Sequence, residues 1–400
     1  MAQSAALTFA SPLRIRVTAL GVLSFLVGIT ASYKVILLGE LYLAELLLPL
    51  AGGAALFTRG ATSILRVPLF RTLLAAMLVT FAGYVLSDLV RGSSADQYLR
   101  GWARVAVLAT NFVSLCLLVG ADRRNLWWYV LGTGVGGVLY LRLAFGLPLP
   151  VWKHGYAEYM TPAVVAASAL LPAYLVVPAH LWLAWLSIRW DYRSHALIMI
   201  LISALLWLRG RRQVPAVAMK AALALALVGI VVAAGLDFSA SEYERGRREA
   251  SNVGRSFGLM FGAEAILNSP LIGYGSWAKD AELTELASEV LDRELGKKAD
   301  AYSAGQQGSA SIHSQLLQSW VEGGVLGAVF FLVLGYQLLK WFPELAFRRP
   351  RDALTPILLL YTLSGVWHLL LSPFALGGRL LGALACSSLV LVALEKRARK

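Results

Sequence analysis

Apolar runs of roughly membrane-spanning length recur along almost the whole chain, and this recurrence constrains the fold more than any other feature. A bilayer core about 30 Å thick requires about 20 consecutive apolar residues in a helix. A soluble protein does not need so many runs of this length to build its core. With 58% hydrophobic and only 15% charged residues, the chain is predicted to be an all-α polytopic membrane protein.

Ten spans are clear from hydropathy, and one segment, 157–190, is ambiguous. That segment could form one long helix or two short ones that meet near Pro172 and Pro178, because proline interrupts helices. The clear spans are 13–31, 36–57, 70–90, 101–120, 125–146, 194–209, 217–236, 312–341, 352–372 and 375–394.

The positions of basic residues favour two helices in 157–190. Lysine and arginine accumulate on the cytoplasmic side of membrane proteins, and three basic clusters (209–220, 348–351 and 396–400) are best placed there. With two helices, six further arginines lie on that same side, whereas one helix would place all six outside: Arg14, Arg16, Arg59, Arg66, Arg123 and Arg124. We therefore predict about twelve transmembrane helices with both termini in the cytoplasm.

This topology leaves one large loop, 237–311, on the outer side. The loop carries twelve acidic and eight basic residues, a formal charge of −4; since the whole chain carries +13, the remainder carries +17. The positive-inside rule produces such segregation, so the basic composition does not indicate nucleic-acid binding. We predict helices 1–9 in 1–236, a partly helical periplasmic loop in 237–311 and helices 10–12 in 312–400, in a bacterial inner membrane.

Motifs for metal or nucleotide chemistry are missing from the sequence. It contains no HExxH, no CxxC and no paired histidines for zinc, no DxD in the loop and no GxxxxGK[ST] for ATP. The two cysteines lie in apolar runs and indicate neither a disulfide framework nor a metal cluster. We therefore expect no metal and no other cofactor.

Four arginines and one histidine are the candidates for chemistry at the outer face. They are Arg189 and Arg193 in "IRWDYRSH", Arg255 in "NVGRSFG", His313 ahead of a long predicted helix, and Arg379 after "SPFALGG". Arginine holds phosphate oxygens bidentately without a metal, which suits a polyprenyl-pyrophosphate substrate. Each residue could instead be an ordinary interfacial one whose polar end reaches water.

Three motifs resemble those of the O-antigen ligase and O-antigen polymerase superfamily. The segment "HSQLLQSWVEGGVLG" resembles its histidine followed by a spaced G-x-x-G, "NSPLIGYG" its loop element, and "RSHALIMILISALL" its arginine at the start of a span. The Ser-His after Arg193 departs from the usual Ser or Gly followed by Ala. The resemblance implies a membrane glycosyltransferase that moves O-antigen from undecaprenyl pyrophosphate to lipid A-core, with membrane lipids as its surroundings.

The resemblance also implies roles for individual residues. Arg193 and Arg255 would hold the leaving pyrophosphate, and His313 would accept the proton of the attacking hydroxyl. If the helix began near Ser311, His313 would lie in its first turn, where the positive helix end favours a neutral imidazole. The same position could make it a phosphate ligand instead. Tyr274 is expected to shape a turn or to stack on the glycan.

The helix after His313 is predicted to have two different faces. On an ideal helix, Gln318 and Glu322 share a polar stripe that needs protein or cavity partners. His313 aligns with Gly324 and Gly327 on the other face, where small residues would admit a neighbouring helix.

Two alternative functions stay open. A polymerase of the same superfamily would extend the glycan while it remains lipid-linked, and only the single dominant loop favours the ligase, by analogy. A transporter or flippase for a lipid-linked glycan is of another class and would predict inverted repeats. The carboxylates Glu40, Glu45 and Asp88 could line a cavity or pair with polar partners.

Overall fold

The computed structural model describes residues 16–36, 39–146, 152–208, 242–276, 281–295, 312–348, 352–372 and 376–399. The predicted span 217–236 and the basic cluster 209–220 lie outside these residues. The helices of the described part are α1 (Ala19–Ile29), α2 (Leu43–Ala55), α3 (Pro68–Arg91), α4 (Ala95–Ala121), α5 (Arg124–Phe145), α6 (Ala157–Ala167), α7 (Ala173–Arg189), α8 (Arg193–Leu208), α9 (Glu242–Asn268), α10 (Ala281–Leu295), α11 (Gln315–Pro343), α12 (Thr355–Leu371) and α13 (Leu376–Ala398).

Helices long and apolar enough to cross a membrane confirm the predicted class. Within the described residues four helical stretches meet this condition: α3, α4, α11 with its continuation to Arg348, and α13 from Gly378 onward. Shorter apolar helices include α1, α2, α8 and α12. The chain is thus a mainly helical membrane protein, and the number of twelve spans stays a prediction.

The ambiguous segment 157–190 forms two helices, as the charge distribution predicted. Helix α6 has 11 residues and is followed by a single 3-10 turn, and α7 has 17 residues. Pro172 lies between them with an extended backbone, and it has no amide hydrogen to continue a helix. The division therefore follows from proline chemistry.

A β-hairpin replaces the beginning of the predicted span 36–57, so the predicted start of this span was wrong. Strand β1 (Lys34–Ile36) pairs antiparallel with β2 (Glu40–Tyr42), and Val35 lies opposite Leu41. The β-branched residues of β1 favour an extended backbone. Helix α2 consequently begins only after the hairpin.

The helices pack around one extended apolar core, with a second, smaller core in the loop region. In the main body α1 packs on α5, α3 on α11, α4 on both α2 and α13, and α7 on α8. The smaller core joins Phe257 and Phe261 of α9, Leu283 and Val290 of α10, and Val321 of α11. We call the end of the bundle at which α8 and α11 begin and α12 ends the loop side, because the loop region packs there.

Candidate functional site

Helix α11 is broken at Gly324, within the second half of the histidine-containing motif. The backbone of Gly324 has φ 63° and ψ −161°, a conformation that is essentially restricted to glycine. A Cβ atom at this position would lie 2.1 Å from the carbonyl oxygen of Leu271. The expectation that Gly324 admits a neighbouring helix is therefore wrong, because its close partner is the loop element at 269–276.

The loop element and the helix motif satisfy each other's backbone groups at this break. The amides of Tyr274 and Gly275 donate to the carbonyls of Val321 (2.8 Å) and Glu322 (3.0 Å). In return the amide of Val325 donates to the carbonyl of Pro270 at 2.9 Å. The two sequence motifs thus form one structural unit.

The polar stripe of α11 has protein partners. The carboxylate of Glu322 is buried and forms an ion pair with Arg104 of α4. It also accepts hydrogen bonds from the Tyr84 hydroxyl (2.7 Å) and the Gln318 amide (3.2 Å). Since a buried charge requires such pairing, Glu322 fixes α11 against α3 and α4.

Asp88 of α3 fastens the other end of the loop element. Its carboxylate accepts hydrogen bonds from the Ser276 amide (2.6 Å), the Ser276 hydroxyl (2.5 Å) and the Trp102 indole (2.7 Å). The adjacent Ser87 hydroxyl donates to the carbonyl of Glu322 at 2.8 Å. Of the two roles considered for Asp88, pairing with polar partners is the one observed.

Arg379 is held in a buried bidentate ion pair. Its Nε and one terminal nitrogen donate to the carboxylate of Glu45 at 2.8 and 2.6 Å, and the same terminal nitrogen also donates to the carbonyl of Glu40 at 3.0 Å. Asn111 adds a further hydrogen bond to Glu45 at 3.2 Å. This arrangement joins α13 to α2 and favours a structural role for Arg379.

His313 lies just ahead of α11 rather than in its first turn. The helix begins at Gln315, and the N-cap is Ser314, whose hydroxyl accepts from the amide of Leu317 at 3.3 Å. The same hydroxyl donates to the carbonyl of Leu369 near the end of α12 at 3.0 Å. The expected position of His313 inside the helix was therefore wrong, and the fixed cap places it at the junction of α11 and α12.

Arg193, Arg255 and His313 form an electrostatically coupled cluster on the loop side. Burial, followed by the positive charge of Arg193, lowers the pKa of the half-buried Arg255, while Asp191 acts in the opposite direction. Burial and the charge of Arg255 lower the pKa of His313 from its ordinary value near 6.5. The lowered pKa favours the neutral imidazole at pH 7, and the guanidinium of Arg255 is the charge that acts on it.

Arg193 is positioned by the turn between α7 and α8. Asp191 in this turn has a positive φ of 54°, and its carboxylate accepts a hydrogen bond from Arg193 Nε at 3.2 Å. Arg193 is the first residue of α8 and is partly buried. Arg189, from the end of α7, is exposed and lies over the ring of Trp190 at 6.0 Å.

Tyr274 is part of the small loop core. Its side chain is buried, and the guanidinium of Arg91 lies over its ring, 4.7 Å from the centroid. Arg91 also donates to the carbonyl of Gly273 at 2.8 Å and to Ser269 at 3.0 Å. Of the two expectations for Tyr274, the shaping of a turn fits this position.

Sequence reasoning missed the residues that position the site. Arg104 lies inside a predicted span, and Arg91 lies at the end of another. An ionisable group at that depth usually pairs with another group or has a function. Asp191 could have been noticed because a carboxylate two residues before an arginine, in a tight turn, can bind it locally. None of the three lies in one of the three motifs that resemble those of the O-antigen ligase superfamily.

These features define a class: a helical membrane protein with a neutral histidine and two arginines gathered at one end of the bundle. Comparison with known families agrees with this. Residues 179–332 match the family model described as O-antigen ligase. This segment contains Arg193, Arg255 and His313, and through it the chain is similar to the O-antigen ligase family. No curated protein matches the chain.

Proposed function

We propose that the protein transfers O-antigen polysaccharide from undecaprenyl pyrophosphate to lipid A-core at the periplasmic face of the bacterial inner membrane. The match to the O-antigen ligase family model over residues 179–332 supports a reaction of the O-antigen ligase or polymerase type in a bacterial membrane, between a lipid-linked glycan and an acceptor. The observation that carries the proposal is the electrostatic coupling of Arg193 to Arg255 and of Arg255 to His313, whose pKa is lowered. The family match covers all three residues.

In the proposed mechanism a hydroxyl of the acceptor attacks the anomeric carbon of the donor sugar. The bond from that carbon to the pyrophosphate oxygen breaks, and undecaprenyl pyrophosphate leaves with the electron pair. Arg193 and Arg255 stabilise the negative charge on the leaving oxygens. His313 accepts the hydroxyl proton through a ring nitrogen, which its low pKa keeps free of a proton at pH 7.

The two arginines supply the charge that a divalent metal supplies in many glycosyltransferases, so we propose a metal-independent reaction. A guanidinium group is always charged and matches phosphate geometry with two parallel hydrogen bonds. We add Arg189 as an exposed cation that guides the pyrophosphate towards the pair. Arg379 and Tyr274 we assign to the scaffold of the site.

The proposed function also requires a defined topology. With twelve spans and both termini in the cytoplasm, the segment 237–311 and the three site residues lie on the periplasmic side. Cysteine-accessibility labelling at Ser256, an exposed position of α9, tests this: an impermeant thiol reagent added to intact spheroplasts should label a Ser256→Cys variant. Labelling only after permeabilisation would refute the orientation.

The test of function is reconstitution of the purified protein with lipid-linked donor and lipid A-core, with and without EDTA. We expect glycan on lipid A-core, undiminished by EDTA, and a loss of about 10²–10⁴-fold in kcat for His313→Ala. Arg255→Gln should also be strongly impaired. Its matched control is Arg293→Gln, since Arg293 is an exposed arginine paired with Glu264 at 2.6 Å.

Three results would overturn parts of this proposal. Lengthening of the lipid-linked donor without modification of lipid A-core would make the protein a polymerase. Movement of donor across the liposome membrane without any transfer would make it a transporter. Full activity of a folded His313→Ala variant would remove the assignment of the base.

A further inference from the structure

A cavity of about 390 Å³ lies next to the proposed site, and none of the residues to which a role has been assigned lines it. It lies among α5, α6, α8, α12 and α13. Tyr192 and Ser194, on either side of Arg193, both line it. His368 lines it as well and directly precedes Leu369, whose carbonyl binds the residue next to His313. Two segments of the cavity wall are therefore directly adjacent in sequence to Arg193 and to Leu369, which binds the N-cap of α11.

Two ionisable groups of the cavity wall have no partner in the described part of the chain. Glu158 and His368 both line the cavity, and neither forms a hydrogen bond or an ion pair with another described residue. By contrast, His195 in the same wall is bonded at both ring nitrogens, to Thr161 (2.6 Å) and Ser187 (2.7 Å). A carboxylate facing a cavity needs hydrogen-bond donors. Glu158 is exposed in this wall, so its carboxylate is open to donors from whatever fills the space.

The rest of the lining indicates what kind of molecule this is. The described residues that line the cavity include several aromatic rings, among them Tyr42, Tyr192 and Trp367, but no lysine or arginine. A phosphate group would therefore meet a carboxylate without a balancing cation. A lipid chain would leave that carboxylate without hydrogen-bond donors. Flat apolar rings together with a few polar groups suit a ligand that has both an apolar face and hydroxyl donors.

We propose that this cavity binds one neutral sugar ring of a glycan substrate. The hydroxyls of the ring donate to the carboxylate of Glu158, His368 forms a further hydrogen bond, and the aromatic side chains pack on the faces of the ring. The inference rests on the proposed function. The ring belongs either to the acceptor or to the donor glycan, which share this chemistry, and Glu158 selects its position relative to His313.

The test is a comparison of KM values for donor and acceptor in the reconstituted transfer assay. Loss of a hydrogen bond to a charged group weakens binding about tenfold or more. We expect Glu158→Gln to raise the KM of one substrate by about that factor, with kcat changed little. The substrate that responds is the source of the ring. The matched control is Glu40→Gln, because the Glu40 carboxylate is exposed and pairs only with Lys34 among the described residues.

A Glu158→Leu variant distinguishes a sugar from an apolar chain. The sugar proposal predicts a KM at least as high as that of Glu158→Gln, whereas a lowered KM would show a lipid chain in the cavity and overturn the proposal. Wild-type KM values in both variants, with normal transfer, would also overturn it and leave the proposed function intact.

Direct binding separates the failure of this inference from the failure of the proposed function. The affinities of the lipid-linked donor and of lipid A-core for the protein in nanodiscs do not depend on turnover. If the wild type transfers nothing but binds one of these glycolipids about tenfold more tightly than Glu158→Gln, the proposed function fails and the sugar site stands. If neither glycolipid binds the wild type, both proposals fail.

Discussion

Replacement of Gly324 by alanine should destabilise the protein strongly, because it would introduce both backbone strain and a steric clash with the loop element. An alanine in this backbone conformation costs about 1–3 kcal/mol. Its Cβ would also lie 2.1 Å from the carbonyl of Leu271, so the loop must move away. That movement weakens three hydrogen bonds between loop and helix, each contributing about 1 kcal/mol. We expect a total loss of about 3–6 kcal/mol.

The assay is thermal unfolding of the purified protein in detergent, followed by intrinsic fluorescence. A loss of this size should lower Tm by roughly 5–10 °C. The matched control is Gly53→Ala in α2: no atom lies within 4 Å of a Cβ at Gly53, and its backbone is helical. That variant should keep or slightly raise Tm, because alanine is the better helix former. Equal Tm values for both variants would refute the role given to the break in α11.

Three further predictions concern buried charge and pH. Arg104→Met and Glu322→Leu should each cost about 3–5 kcal/mol in unfolding free energy, and the double variant clearly less than their sum, as a thermal double-mutant cycle would show. Arg379→Met should cost a similar amount, measured in the same way, because it leaves its buried carboxylate partner unpaired. Because burial and the charge of Arg255 lower the pKa of His313, protonation of His313 is disfavoured in the folded state. Transfer activity should therefore fall only at a pH below about 6.5, which gives the acidic limb of the pH profile. Arg255→Gln removes the charge and should move this limb to higher pH. Arg255→Lys keeps the charge and should move it less. An acidic limb that is the same in all three proteins would contradict the coupling.

Much of the fold could be predicted because proline, charge and hydropathy act locally. Pro172 divides the segment 157–190 for a reason that is visible in the sequence, and the distribution of arginines points to the same division. The hairpin at 34–42 was not predicted, because the apolar residues between Lys34 and Glu40 satisfy a hydropathy count and the pairing of two strands is not visible in it. Hydropathy measures only apolar character, so it does not distinguish a pair of apolar strands from the start of an apolar helix.

In the candidate site, too, features set by neighbouring residues in the sequence could be predicted, and features set by distant residues could not. Arg193 and His313 are recognisable from their motifs and Arg255 from its place in the loop, and the structure couples Arg193 to Arg255 and Arg255 to His313. The break at Gly324 could not be predicted, because a helical wheel assumes a continuous helix and the carbonyl that requires glycine comes from Leu271, 53 positions earlier in the chain. The partner of Arg379 was likewise hidden, since Glu45 is distant in sequence.

The mutual bonding of the loop and the broken helix has a consequence for biogenesis. The carbonyls of Val321 and Glu322 lie at the break in α11, and lipid offers no donors. Their backbone donors come from Tyr274 and Gly275, with the Ser87 hydroxyl as a second donor to Glu322, so the broken form of α11 requires the folded loop element. We therefore expect α11 to settle in the bilayer only as the loop folds, so that a defect in the loop would be seen first as failed membrane integration and degradation of the nascent chain.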